Sequence, residues 1–239
     1  MKGSALVDRF QASPNHEPRL DEISLLVLHY TGMASGQLAI DWLCNPASKV
    51  SCHYLIDTDG AIVQMVDEDR RAWHAGTSSW QGVIDINSAS IGIEIQNLGH
   101  GGGCPAFPHA QMDRVAALSL DIMARYGMSP QDVLAHSDVA PGRKIDPGEV
   151  FDWNFLAKQG IGQTVIAATQ PANEHSVRHA QAGLATLGYG IDPSGILDAR
   201  TRIVIEAFQR RYRQSEVNGI LDADTWDILQ RLLAVQTIG

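Results

Sequence analysis

Long apolar runs, cysteine and basic charge are all scarce in this 239-residue chain. No stretch approaches 18 consecutive apolar residues, and residues 1–10 lack the apolar core of a signal peptide. We therefore expect no membrane-spanning helix and, by default, a cytoplasmic protein. The three cysteines lack a CxxC spacing, which favours free thiols over a disulfide framework. The net charge of −9 argues against a nucleic-acid partner.

Composition divides the chain into two unlike parts. Residues 1–165 carry 11 basic and 19 acidic side chains, whereas residues 166–239 carry 7 and 8. A segment rich in small and polar residues joins them, and its glycines and Pro171 disfavour regular structure. We expect a first domain over residues 1–165, a linker over 166–174 and a second domain over 175–239. The sequence leaves the oligomeric state open.

The first part alternates apolar runs with helical patterns, which predicts an α/β (α+β) fold with a mixed central sheet flanked by helices. Residues 23–29 form a nearly continuous apolar run, typical of a strand buried on both faces. A second strand over 91–96 places its isoleucines on one face and Glu94 on the other. The remaining predicted elements are a hairpin over 54–56 and 61–66 and helices over 37–44 and 109–126.

The second part contains an internal repeat. Gly195-Ile-Leu-Asp-Ala recurs as Gly219-Ile-Leu-Asp-Ala, and each copy leads into an amphipathic helix. Asp198 and Asp222 are placed to cap those helices. With a further helix over 176–187 this predicts a small three-helix domain without a catalytic cluster of its own. The repeat is either a capping and turn device or a direct binding element.

Three residues have the properties of metal ligands. A hydrolytic zinc site needs three protein ligands and a position for water, with a carboxylate nearby. His29 ends the buried first strand, and His136 and Asp146 lie ten residues apart around a loop rich in proline and glycine. Each also has an ordinary interpretation, as a core histidine or as a turn-forming aspartate.

Glu94 and Lys144 complete the candidate site. Glu94 lies on the polar face of an otherwise apolar strand, where a carboxylate needs a partner or a chemical task. The task that we assign to it is to accept the proton of the attacking water. Lys144 lies two residues before Asp146, which in an extended segment places both side chains on the same side, and it could stabilise an oxyanion there. Its alternative is a surface ion pair with Asp138 or Glu149.

Five ordered motifs over residues 20–155 resemble the zinc-dependent N-acetylmuramoyl-L-alanine amidases of the type-2 amidase family. Residues 175–235 resemble a peptidoglycan-binding module of three helices, through Gln181, Leu187-Gly-Tyr, Gly195-Ile-Leu-Asp and Ala207-Phe-Gln-Arg. The motifs of the amidase resemblance are Leu26-Val-Leu-His29-Tyr-Thr, Ser51-Cys-His53-Tyr-Leu-Ile56, Ala72-Trp-His74-Ala-Gly76, Ser90-Ile-Gly-Ile-Glu94-Ile-Gln-Asn97, and Ala135-His136-Ser-Asp-Val-Ala-Pro with Lys144-Ile-Asp146-Pro-Gly148.

The resemblance implies hydrolysis of the amide between the lactyl group of N-acetylmuramic acid and L-alanine, in peptidoglycan or muropeptides. It implies one Zn²⁺ per chain, with Glu94 as general base and Lys144 assisting the transition state. It also implies that the C-terminal module retains the enzyme on the polymer, which makes the cell envelope the alternative location. The residues that it implies as zinc ligands are His29, His136 and Asp146, and those that we predict to contact substrate are His74, Tyr54, Trp73 and Asn97.

One position departs from the family pattern. Close relatives often carry an arginine two residues before the asparagine that corresponds to Asn87, where this chain has Asp85. Two other functions stay open: a protein that recognises muropeptides without cleaving them, and a zinc peptidase acting on another amide. The sequence contains no HExxH motif, which many zinc peptidases carry on a helix. We also expect the amidase part to cleave soluble muropeptides without residues 166–239.

Overall fold

The computed structural model describes residues 3–165 and 176–236. A six-stranded sheet and a two-stranded ribbon account for the strands of the first part. The strands are β1 (Arg9–Phe10), β2 (His16–Pro18), β3 (Leu25–Tyr30), β4 (Tyr54–Ile56), β5 (Ile62–Gln64), β6 (Arg70–Ala72), β7 (Ser90–Ile95) and β8 (Val133–Ala135). The helices are α1 (Gly36–Leu43), α2 (Ile86–Ala89), α3 (His109–Tyr126), α4 (His136–Val139), α5 (Trp153–Ala157), α6 (Val177–Leu187), α7 (Ala199–Tyr212) and α8 (Ala223–Gln236). None of these helices is long and apolar enough to cross a membrane.

The main sheet has the strand order β1-β5-β4-β7-β3-β8. All neighbours are parallel except β4 and β5, which form the predicted hairpin. The apolar strand β3 lies between β7 and β8, and its side chains are buried on both faces of the sheet, as its composition predicts. The central strands β3, β7 and β8 end at one edge of the sheet, where open parallel sheets place their ligands.

Different helices cover the two faces of the sheet. Leu26 and Leu28 of β3 and the isoleucines of β7 share one cluster with the buried stripe of α3, including Val115 and Ile122. Leu25 and Val27 face the other way and pack in a cluster that includes side chains of α6, α7 and α8. Helix α1 covers β4 and β5 on that second face through residues such as Ile40. The mixed, helix-flanked sheet is confirmed.

One buried glutamine makes the same hydrogen bonds in each copy of the internal repeat of the C-terminal part. Gln181 accepts a hydrogen bond from Gly195 N at 2.7 Å and donates to Thr201 Oγ1 at 2.8 Å. In the second copy, Gln209 accepts from Gly219 N at 2.8 Å and donates to Thr225 Oγ1 at 3.1 Å. The helix caps are also repeated, since Asp198 and Asp222 accept from the backbone of Thr201 and Thr225. The geometry favours the capping and turn interpretation of the repeat.

The C-terminal helices pack directly on the first part of the chain. Trp80 lies in one buried cluster with Tyr189 and Phe208, and its ring meets Tyr189 edge-on at 4.9 Å. The guanidinium of Arg211 lies over the Trp153 ring, 3.0 Å from its centroid. The two parts therefore share one hydrophobic core, which argues against a first part that functions alone. The predicted linker, 166–174, lies outside the described residues, and the proposed domain boundaries stay a prediction.

Candidate metal centre and catalytic cleft

Two histidines and an aspartate meet at the edge of the sheet. His29 lies near the end of β3, His136 directly follows β8, and Asp146 lies in the irregular loop after α4. His29 Nδ1 and His136 Nδ1 are 2.8 Å apart, and Asp146 Oδ2 lies 3.1 Å and 2.9 Å from them. Donors around a tetrahedral zinc ion, each about 2.0–2.1 Å from the metal, are about 3.3 Å apart. The buried triangle is close to that size.

Hydrogen bonds on the far side of each ring orient the two histidines. His136 Nε2 donates to the carbonyl of Ala75 at 3.0 Å, so in the neutral ring Nδ1 carries a lone pair. His29 Nε2 lies 3.0 Å from His74 Nδ1 and is held in the same way. Burial lowers the pKa of His29 to about 4. Two lone pairs and a carboxylate oxygen thus face one another, an arrangement that a metal cation stabilises.

The donor set fits zinc. Two imidazole nitrogens with one carboxylate oxygen are a typical ligand set for catalytic Zn²⁺, whereas Mg²⁺ and Ca²⁺ prefer oxygen ligands. Burial favours the neutral form of Asp146, but the adjacent His136 and His29 rings hold the pKa of its carboxyl below its ordinary value. The carboxylate is therefore ionised and able to bind a cation. Within the described residues this is the one group of three potential ligands close enough to share a metal.

Glu94 projects into the same site from β7. It is the residue paired with His29 in the parallel register of β3 and β7. Its Oε2 is buried and has no hydrogen-bond partner among the described residues. Burial, and then the negative charge of Asp146, raise the pKa of Glu94 well above its ordinary value, while Lys144 opposes the shift. A buried carboxylate oxygen without a structural partner is a candidate for a chemical role.

His74 and His53 form a layer of neutral rings beneath the ligands. The His74 ring meets the rings of His29 and His53 edge-on, at 5.1 Å and 5.6 Å between centroids. Burial and the neighbouring histidines hold the pKa of His74 well below its ordinary value. Gly92 on β7 makes room for this layer, since a Cβ there would lie 2.6 Å from His74 Cγ. The glycine therefore accommodates an imidazole at the floor of the cleft.

A cleft of about 330 Å³ opens above the three ligands. Its lining includes the apolar side chains of Met33, Trp42 and Val50 and the basic side chains of Arg143 and Lys144. Sequence reasoning missed Tyr30, Trp42 and Arg143; the exposed aromatic face of α1 was the one available signal for Trp42. The predicted substrate residues Trp73 and His74 line the cleft, together with Glu94, His136 and Asp146.

Lys144 is not held by either of the acidic partners that its sequence position suggests. Asp138 accepts from the hydroxyl of Tyr189 at 2.8 Å, and Glu149 accepts from Arg210 at 2.6 Å. The segment around Lys144 is an irregular turn and not the extended strand that the two-residue spacing predicts. Even so, Lys144 and Asp146 both line the cleft. An oxyanion role for Lys144 therefore stays available.

Two residues predicted to contact substrate lie elsewhere. Tyr54 is fully buried in the core, where its hydroxyl donates to Glu68 Oε1 at 2.5 Å and accepts from Ser4 N at 3.0 Å. Asn97 is 4% exposed and organises the following loop by donating to Pro105 O and accepting from Gly99 N. Neither side chain lines the cleft. We correct their assignment to structural positions, because their polar atoms already have partners.

Asp85, the departure noted in the sequence, has a local partner. Its carboxylate receives hydrogen bonds from Arg71 Nε and Nη2, the latter at 2.9 Å. It also accepts from Ser88 N and so caps α2. Burial alone would raise the pKa of Asp85, but these bonds, led by that from Arg71, lower it. The acid at this position is thus accommodated by an ion pair on the neighbouring strand β6.

Comparison with known proteins identifies the family. The family described as N-acetylmuramoyl-L-alanine amidase matches residues 19–149, which include the three candidate ligands, Glu94 and Lys144. The chain belongs to this amidase family. A peptidoglycan binding domain family matches residues 173–229 of the same chain. The amidase is therefore a hydrolase with a peptidoglycan-related function, associated with the cell wall.

Individual relatives agree with this assignment over most of the chain. The amidase is 37% identical over 235 residues to the N-acetylmuramoyl-L-alanine amidase AmiD of Escherichia coli (strain K12), covering 88% of this chain and 82% of the relative. The structure of AmiD from E. coli with the substrate anhydro-N-acetylmuramic acid-L-Ala-D-gamma-Glu-L-Lys matches with a TM-score of 0.79 at 34% identity, over 94% of this chain and 91% of that one. The structure of AmpDh3 from Pseudomonas aeruginosa in complex with anhydromuramic pentapeptide matches with a TM-score of 0.73 at 30% identity, over 88% and 91%.

Proposed function

We propose that this amidase hydrolyses the amide bond between the lactyl group of N-acetylmuramic acid and L-alanine, using one zinc ion bound by His29, His136 and Asp146. The observation that carries the proposal is Glu94 Oε2, a buried carboxylate oxygen without a hydrogen-bond partner in the described part of the chain, beside three converging donor atoms. A site for binding alone has no use for such a costly group, because burial of a carboxylate oxygen without a partner destabilises the fold. A hydrolase needs it as a base.

Each residue has a distinct chemical task in this reaction. His29, His136 and Asp146 would hold the zinc ion, which when bound would supply Lewis acidity to the carbonyl and lower the pKa of the attacking water. Glu94 accepts the proton of that water and delivers it to the departing amine of L-alanine. Burial, which raises the pKa of Glu94, also makes its carboxylate a stronger base than an exposed glutamate.

Lys144 and the cleft walls act on the substrate. We assign Lys144 to the negative charge that develops on the carbonyl oxygen, because it lines the cleft together with Glu94 and Asp146. Trp73 and His74 line the cleft beside the reacting centre and are proposed to contact substrate. The exposed ring of Trp42 and the guanidinium of Arg143 extend this surface. They suit an apolar sugar face and the carboxylates of a peptide, respectively.

Product analysis tests the reaction directly. The zinc-loaded protein is incubated separately with purified sacculi, soluble muropeptides and anhydro-muropeptides, and the products are identified by mass spectrometry. We expect free peptides that begin with L-alanine and sugars that carry a free lactyl carboxylate. Tight binding without these products would support the recognition protein instead, and cleavage at another amide would support the zinc peptidase.

The C-terminal helices are proposed to retain the enzyme on its polymer. Many identical sites along peptidoglycan raise the effective concentration of a tethered active site, so the helices need supply no chemistry of their own. The compartment, cytoplasm or cell envelope, stays a prediction that cell fractionation with an antibody against the protein resolves.

A further inference from the structure

A chain of hydrogen bonds connects the C-terminal helices to a residue that lines the catalytic cleft. Arg210 on α7 donates from Nε to Glu149 Oε1 at 2.6 Å. The other oxygen of Glu149 accepts from His100 Nε2 at 2.7 Å, and His100 Nδ1 accepts from the hydroxyl of Tyr30 at 3.0 Å. Tyr30 follows the ligand His29 and lines the cleft. Four segments distant in sequence thus form one chain of hydrogen bonds, the Arg210–Tyr30 relay.

Hydrogen-bond donors and acceptors match along the whole Arg210–Tyr30 relay. A neutral His100 with its proton on Nε2 donates to Glu149 and leaves Nδ1 free to accept from Tyr30. The Arg210 side chain is 13% exposed and that of Glu149 is 25% exposed, so the ion pair is partly shielded from water. Each member has a donor or acceptor matched to its neighbours, so that fixing Arg210 restricts the other three.

Glycines allow the relay to form. A Cβ on Gly99 would lie 2.7 Å from Tyr30 Cε2, and one on Gly148 would lie 3.0 Å from His100 Cε1. Both glycines also have positive φ angles, 62° and 86°. Backbone therefore approaches the Tyr30 and His100 rings more closely than any other residue would permit. This close packing explains Gly99 and Gly148.

We propose that Arg210 is a positioning residue for the amidase reaction, which acts through Glu149 and His100 to fix Tyr30 in the lining of the cleft. The inference builds on the proposed function and gives the C-terminal helices a second role, since they position a cleft residue as well as retaining the enzyme on polymer. We expect loss of Arg210 to weaken substrate binding and not the chemical step, because Tyr30 lines the cleft while the reacting groups are Glu94 and the proposed metal ligands.

Steady-state kinetics on a soluble muropeptide test the role of Arg210. For zinc-loaded Arg210→Gln we expect KM to rise about 3- to 10-fold, with kcat within about twofold, because Tyr30 in the lining of the cleft becomes less ordered. The matched control is Arg213→Gln, which removes an ion pair to Asp222 at 2.6 Å within the C-terminal helices. The control is expected to lower thermal stability and leave KM unchanged. An equal rise in KM for both variants would overturn the proposal.

A double-mutant cycle separates the relay from simple docking of the helices. His100→Ala breaks the relay between Glu149 and Tyr30 but leaves the ion pair of Arg210 with Glu149 in place. If the relay transmits the effect, Arg210→Gln raises KM no further in the His100→Ala background, although it still lowers thermal stability. Independent, multiplicative effects on KM would contradict the relay.

Hydrogen exchange provides a readout that does not depend on catalysis. The amides of Gly102, Gly103 and Cys104 donate to carbonyls of Gly99 and His100 within the segment. Arg210→Gln is expected to accelerate their exchange, and Arg213→Gln is not. This outcome supports the relay even if no muropeptide is cleaved, a result that would count against the proposed function alone. Unchanged exchange in Arg210→Gln would overturn the relay while leaving the amidase reaction in place.

Discussion

His29 and Glu94 are directly paired residues on the neighbouring parallel strands β3 and β7. Adjacent strands lie about 4.8 Å apart, so the register places a proposed metal ligand and the proposed base on one rigid support. Both side chains emerge at the carboxyl edge of the sheet, where the loop that carries Asp146 also arrives. Backbone hydrogen bonding thus fixes the relation between ligand and base, which hydrolysis requires to be precise.

Replacement of Glu94 tests the proposed base. Glu94→Gln keeps the shape of the side chain and removes its ability to accept a proton at neutral pH. We expect kcat on a soluble muropeptide to fall about 10²- to 10⁴-fold with bound zinc unchanged. The metal-free variant should be as stable as the parent or more so, because a buried carboxylate without a partner is lost. Near-normal turnover would exclude Glu94 from the mechanism.

Removal of one proposed ligand tests the metal centre. Asp146→Ala leaves two histidine ligands, so we expect the zinc dissociation constant to rise by at least about 100-fold. Competition with a chromophoric chelator measures the constant. Dialysis of the unaltered protein against a chelator should abolish hydrolysis, and added zinc should restore it. Asp132→Ala, at an acid on the short helical turn before β8, is the control for losing a carboxylate. Full zinc content in dialysed Asp146→Ala would contradict the ligand assignment.

Removal of the positive charge of Lys144 tests whether this residue stabilises the transition state. Lys144→Met retains the aliphatic stem and removes the charge, and we expect kcat to fall about 10- to 100-fold with little change in zinc affinity. The control is Lys158→Met, at an exposed lysine beyond α5, which changes the net charge of the protein by the same amount. Equal kinetics for the two variants would show that Lys144 acts only through the overall charge of the protein.

Buried histidines make the metal-free protein sensitive to acid. Burial lowers the pKa of His53 to about 3 and that of His29 to about 4, from an ordinary value of 6.5. Between those limits the unfolded chain binds protons that the folded chain excludes, so stability is complete above pH 6.5 and falls as the pH decreases. Each histidine contributes a slope of about 1.4 kcal/mol per pH unit.

Urea unfolding in the presence of a chelator, from pH 7 to pH 4.5, measures this slope. His53→Gln is expected to reduce it by about one proton, or 1.4 kcal/mol per pH unit. His109→Gln is the matched control, because His109 is exposed at the start of α3. A slope unchanged by His53→Gln would show that this ring is not excluded from protonation in the folded protein.

The shared core predicts that the amidase part depends on the C-terminal helices. Trp80→Ala opens the cluster between them and is expected to cost about 3–5 kcal/mol in the free energy of unfolding. Trp42→Ala removes the same side chain from a half-exposed position and should cost about 1 kcal/mol or less. A chain ending at residue 165 is expected to bind an apolar dye such as ANS and to lose activity. Full activity and stability of that chain would show that the two parts fold independently.

Local pattern was sufficient to predict most elements and the candidate ligands. The helix over 109–126 coincides with α3 because its apolar stripe and terminal glycine are purely local signals. The predicted strands over 23–29 and 91–96 differ from β3 and β7 by one or two residues at their ends. The motifs around His29, Glu94, His136 and Asp146 indicated the site, because each is a short contiguous run.

Contacts between distant segments could not be predicted in this way. Tyr54 was assigned to the cleft, but its strand turns the ring into the core towards Glu68. The irregular turn at Lys144 replaced an expected extended segment, although the side chain still reaches the cleft. Tyr30 and Arg143 escaped notice since nothing in their local sequence distinguishes a cleft-lining residue from any other polar or aromatic one.

The sequence by itself determined the absence of long apolar runs, the unpaired cysteines, the longer helices and strands and the candidate residues of a metal site, because these depend on composition and on short-range periodicity. All three cysteines are indeed free. Tertiary structure alone decided the pairing of His29 with Glu94, the isolation of Glu94 Oε2 and the shared core of the two parts. These depend on strand register and burial, which bring together residues separated by tens of positions in the chain.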